Sequence, residues 1–92
     1  MDLQNSRIST DPQILAALIL SSVKRALLKE DPLLAECLSG IKLTPRGTTI
    51  LVSEPLALVK IRYYESLCRS EIDITLSRCT SGQTTGMLRF RL

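Results

Sequence analysis

The spacing of hydrophobic positions changes along the chain, and the changes predict two helices, a hairpin, a third helix and a last strand. Ile14, Leu15, Leu18, Ile19, Val23, Ala26 and Leu27 recur at helical steps and wrap more than half a cylinder, which predicts a helix central to the core. Asp11-Pro12 opens it, because the carboxylate caps free N–H groups and proline sits where no N–H is needed. Asp31-Pro32 repeats that signal and opens a short second helix carrying Leu33, Leu34, Cys37 and Leu38, with Gly40 as its left-handed stop. Residues 1–9 show no periodicity, which predicts a flexible arm ahead of a single domain over residues 10–92.

From Ile41 the period drops to two. Ile41 and Leu43 alternate with Lys42 and Thr44, Pro45-Arg46-Gly47 supplies a turn, and the β-branched run Thr48–Val52 completes an antiparallel hairpin. Ser53-Glu54-Pro55 starts a third helix of up to 25 residues. Its inner face is expected along Leu56, Val59, Tyr63, Leu67, Ser70 and Ile74, widened by Leu58, Ile61, Cys68, Ile72 and Leu76. This places Tyr63 in the core and Tyr64 at the surface. Thr80–Gly86 is small and polar and predicts a mobile loop. Met87–Leu92 then alternates, with Leu88, Phe90 and Leu92 on one face and Met87, Arg89 and Arg91 on the other.

The order helix, helix, strand, strand, helix, strand predicts an α+β fold in which helices cover one face of a three-stranded sheet. Lys42, Arg89 and Arg91 then fall on the uncovered face, with Arg46 at the hairpin tip. Charge strengthens that picture. Residues 1–40 hold four cations against five carboxylates, whereas residues 41–92 hold eight against four. Cations gathered on one face are candidate phosphate contacts, since each that meets a phosphate releases condensed counterion. Lys60 and Arg62, on the third helix, complete the candidate nucleic-acid-binding set. Arg62 and Arg69 are also spaced for intrahelical ion pairs with Glu65 and Asp73. Tyr64 is the candidate for stacking on a base.

Composition narrows the chemistry. With no His, and no paired carboxylates placed by the pattern in an apolar cleft, a general base is lacking and catalysis is not expected. Cys37, Cys68 and Cys79 form no C-x-x-C pair and read as reduced thiols rather than metal ligands. No cofactor or small-molecule substrate is indicated. The run Ile14–Leu20 is too short to span a bilayer, and its acidic start does not suit an export signal, so a cytoplasmic protein without membrane contact is expected.

The segment GTTILVSEPLALVKIRYYESLCRSEIDITL, residues 47–76, is similar to the DciA-like family of replicative-helicase loaders: a strand, a short polar break, then an aliphatic helix with a Glu-Ile step and a leucine. The closing GMLRFRL fits that family's last strand, and the element order over residues 12–92 also resembles the amino-terminal domain of the bacterial initiator DnaA. The resemblance implies a K-homology-like α-α-β-β-α-β fold and contact with DNA and the replicative helicase. The G-x-x-G clamp of typical K-homology domains is missing; Gly82 and Gly86 are four apart and outside a helix pair. Two functions are therefore expected of the chain. The first is a non-catalytic DNA-replication adaptor that binds single- or double-stranded DNA, the helicase, or both. The alternative is a protein–protein interaction or self-association module with no nucleic-acid binding.

Overall fold

The computed structural model describes residues 11–79 and 85–92. The expected arm at residues 1–9, and residues 80–84 of the expected loop, lie outside that range. Helix α1 spans Pro12–Leu28, α2 Pro32–Glu36, and strands β1 and β2 span Leu38–Thr44 and Gly47–Val52. Helix α3 (Pro55–Ile61), a 3₁₀ turn (Arg62–Tyr64) and helix α4 (Glu65–Cys79) follow, and strand β3 spans Met87–Arg91. This is a mixed α+β fold with one sheet, ordered β1-β2-β3, in which β2 pairs antiparallel with β1 and parallel with β3.

Both Asp-Pro starts act as expected. Asp11 accepts the N–H of Gln13 at 2.9 Å and Asp31 that of Leu34 at 3.1 Å, satisfying donors that helix geometry leaves free. The second helix, however, ends at Glu36, and Gly40 is no helix stop. Leu38 already pairs with Val52, both buried, and a register irregularity between Leu38 and Gly40 absorbs Ser39. Ser53 donates to the Cys37 carbonyl at 2.9 Å and carries the hairpin contact one step further.

The core lies between the helices and one sheet face. Helix α1 contributes Leu15, Ile19, Val23 and Leu27 at steps of four, while Ile14 and Leu18 are exposed, so it buries a stripe and not most of its circumference. Its broadest helix contact is with α4, and Ser22 donates to Glu71 across it at 2.7 Å. The third helix departs most from expectation. It is broken by the 3₁₀ turn, and its inner face is Ala57, Ile61, Cys68, Ile72, Thr75 and Leu76. Leu56, Val59, Tyr63 and Ile74, expected inside, face solvent, Tyr63 at 83% exposure, while Tyr64 packs against the core. Two apolar stripes run along this segment. The buried one carries the smaller residues Ala57, Cys68 and Thr75 between Ile61, Ile72 and Leu76.

Cys68 is fully enclosed, and burial, with a smaller contribution from the charge of Glu65, pushes its thiol up from 9.0 to about 12. No described helix is long and apolar enough to cross a membrane.

Candidate nucleic-acid interface

Strand alternation divides the sheet into two faces. On β2, Thr48, Ile50 and Val52 point into the core, so Gly47, Thr49 and Leu51 point away from it. Register fixes their neighbours: Lys42 pairs with Thr49 and Thr49 with Arg89, while Gly40 pairs with Leu51 and Leu51 with Arg91. Lys42, Arg89 and Arg91 therefore share the open face, all exposed, as expected. Strand spacing puts the Lys42 and Arg89 backbones about 10 Å apart across Thr49, and Arg91 about 7 Å beyond Arg89.

None of the three strands carries an Asp or Glu. The carboxylates of the described residues all stand in helices, their caps or their connections: Asp11, Glu30, Asp31, Glu36, Glu54, Glu65, Glu71 and Asp73. Among the described residues the open face thus presents cations with no carboxylate side chain interleaved, which suits a polyanion.

The hairpin tip is fastened to the start of β3. Thr44 Oγ1 accepts the N–H groups of Arg46 and Gly47, each at 3.2 Å, which holds the turn and leaves the Arg46 side chain exposed. Met87 then donates its N–H to the Arg46 carbonyl at 3.1 Å. The backbones meet so closely that a Cβ on Gly47 would lie 2.0 Å from the Met87 carbonyl oxygen. Gly86 has φ +65, a left-handed conformation that glycine adopts without penalty.

Helix α4 secures β3 from the other side. Arg69 donates to the Gly86 carbonyl at 2.8 Å, and Asp73 Oδ1 accepts both the N–H of Thr85, at 2.8 Å, and its hydroxyl. This alters the expected ion pairs. Arg69 reaches back to Glu65 at 3.9 Å, Asp73 serves Thr85 instead of Arg69, and Arg62 makes no ion pair among the described residues.

Arg46 and Arg89 border a shallow cleft of about 340 Å³, whose lining includes Thr44, Gly47, Thr49 and Met87. Arg89 Nε donates to the Met87 sulfur at 3.2 Å, which orients the guanidinium along the strand. Of the six candidate cations, four gather on this face and at its tip. The other two do not join them: Lys60 is exposed on α3 and Arg62 in the 3₁₀ turn, both in the helical layer on the opposite side of the sheet. Tyr64, half-buried against the core, offers no free ring for stacking. Sequence reasoning missed Thr49, the polar residue between Lys42 and Arg89, although the alternation of Thr48–Val52 around inward Ile50 marks it. Asp73 and Thr85 left no such signal, because their contact spans the loop.

Comparison with protein-family models, with curated proteins and with solved structures returns no match.

Proposed function

We propose that this domain is a non-catalytic nucleic-acid-binding module that lays a phosphate backbone along the open face of its sheet. The observation carrying this reading is the separation of charge: Lys42, Arg89 and Arg91 on a face whose strands hold no carboxylate, with Arg46 at its edge. Binding of this kind draws on phosphate charge and little on base identity, because no aromatic ring lies on that face; Phe90 alternates inward with Leu88. The helix, helix, strand, strand, helix, strand order and the similarity of residues 47–76 to the DciA-like pattern support a finer reading. In it the chain is a K-homology-like adaptor in DNA replication, with the replicative helicase as protein partner.

Fluorescence anisotropy with single- and double-stranded DNA tests the reading. Four phosphate contacts predict that affinity falls about 50- to 150-fold between roughly 50 and 200 mM salt. No binding at low salt, or binding indifferent to salt, contradicts it.

A second reading rests on the helical layer. Leu33 and Leu56 line the α2–α3 groove, Val59 and Tyr63 follow Leu56 along the chain, and all four are more than half exposed, which suits a protein–protein or self-association module. Under it, Leu56→Ser/Tyr63→Ser abolishes concentration-dependent association in sedimentation equilibrium and leaves any DNA binding unchanged.

A further inference from the structure

We propose that the cleft at the hairpin tip seats one phosphate group between the guanidinium groups of Arg46 and Arg89, giving the strand a fixed register on the sheet. The inference rests on the sheet face being a nucleic-acid surface and names the group recognised at one end of it.

Three observations carry the seat. First, the two arginines arrive from different parts of the chain, a turn and the parallel strand β3, and no carboxylate lines the cleft between them. Guanidinium forks match phosphate oxygens in two-point contacts, which a point-like ammonium cannot supply.

Second, the backbone from which these arginines extend is fixed. The Thr44 hydroxyl holds the turn, Met87 N–H holds β3 to the Arg46 carbonyl, and the close approach at Gly47 leaves no slack between them. Arg89 follows Met87 by two residues on the same face, about 7 Å along the strand. The backbone of such a seat needs no rearrangement on binding, so the ordering that remains is that of the side chains.

Third, the donors left over suit an oxyanion. Arg89 Nε is engaged by the Met87 sulfur, which leaves both of its terminal nitrogens to donate, and the Thr49 hydroxyl is unengaged among the described residues. With no aromatic side chain in the lining, the cleft offers a base nothing to stack on, and its chemistry selects the phosphate. Such a group has two sources in nucleic acid, an internal phosphodiester or a terminal phosphomonoester.

Inorganic phosphate, titrated at constant ionic strength and followed by amide chemical shifts, tests the seat. Shifts confined to residues 44–49 and 87–89, lost in Arg46→Gln and in Arg89→Gln and retained in Arg91→Gln, are expected. A second arm compares single-stranded DNA bearing a 5′-phosphate with the same strand ending in 5′-hydroxyl. A preference of about tenfold for the phosphorylated end that vanishes in Arg46→Gln supports the seat with a terminal group. Equal binding of both strands, weakened alike by Arg46→Gln, supports it with an internal one. Absence of localised phosphate shifts, together with a neutral Arg46→Gln on DNA, overturns the seat while salt-dependent binding through Lys42 and Arg91 leaves the sheet-face reading standing. Localised phosphate shifts without DNA binding at any salt uphold the seat and remove the nucleic acid.

Discussion

Gly47, Gly86 and Gly40 meet three different constraints, and substitution by alanine should rank them. At Gly47 the new methyl collides with the Met87 backbone, so Gly47→Ala must part β2 from β3 and should cost about 1–3 kcal/mol in urea unfolding. Gly86→Ala incurs the strain of a left-handed φ, about 1 kcal/mol, plus a contact 2.9 Å from the Arg46 carbonyl oxygen. Gly40→Ala meets only the Leu51 side chain at 3.5 Å and should lie nearest to neutral. The reverse order would mean that the tip and β3 are not held together as described. Asp73→Ala should cost about 1–3 kcal/mol, because it strands two donors on Thr85, a residue only 2% exposed. Asp73→Asn, which keeps one acceptor, should recover part of it. Cys68 links stability to alkaline pH. Its folded thiol keeps its proton to about 12 whereas the unfolded one releases it near 9.0, so its contribution to stability is present below pH 9 and lost as pH rises towards 12. Guanidinium melts should show a slope in that window of at most about 1.4 kcal/mol per pH unit, flattened in Cys68→Ala; an unchanged slope there would place the titration elsewhere.

Helices show why pattern alone located elements better than faces. The Asp-Pro starts and the hairpin turn were legible because each satisfies backbone groups within a few residues. The inner face of α3 and α4 was legible only in part: Ile61, Cys68, Ile72 and Leu76 lie within the expected wide face and are buried, whereas Leu56, Val59 and Tyr63, equally apolar by pattern, are exposed. Hydrophobicity says which residues gain by burial, while the packing of α4 on α1 decides which side of α4 turns inward, and Cys68, Ile72, Thr75 and Leu76 lie on that side. The same competition left Ile14 and Leu18 outside on α1. Ile61→Ala and Ile19→Ala, both fully buried, should each cost about 2–5 kcal/mol, whereas Tyr63→Ala and Leu18→Ala should stay within about 0.5 kcal/mol. Comparable losses in the two pairs would return Tyr63 to the core and refute the assigned faces. Leu38 leaves the helix its spacing suggests for a related reason: its pairing with Val52, fourteen residues away, outweighs the local helical signal.

At the scale of the molecule, the fold sorts charge by layer: strands without carboxylates on one side, helices bearing them on the other. Period-two alternation makes Lys42, Arg89 and Arg91 legible as one face in the amino-acid sequence itself, since strand geometry leaves a side chain only two directions. It cannot place Lys60 and Arg62, which share the helical layer, nor show that Arg46 and Arg89 border one cleft, because that depends on which strands pair. Net charge is the competing explanation for any affinity for DNA, as a chain of +3 attracts a polyanion whatever its fold. The most direct measurement therefore compares two variants that each lose three positive charges, Lys42→Gln/Arg89→Gln/Arg91→Gln on the sheet and Lys24→Gln/Lys60→Gln/Arg62→Gln on the helices, by DNA anisotropy over a salt series. The sheet variant should lose at least tenfold in affinity, its salt slope shallower by about 0.9 per lost contact on duplex DNA, while the helical variant keeps the parent slope. Equal losses in the two would reduce binding to net charge and contradict the open sheet face as the site.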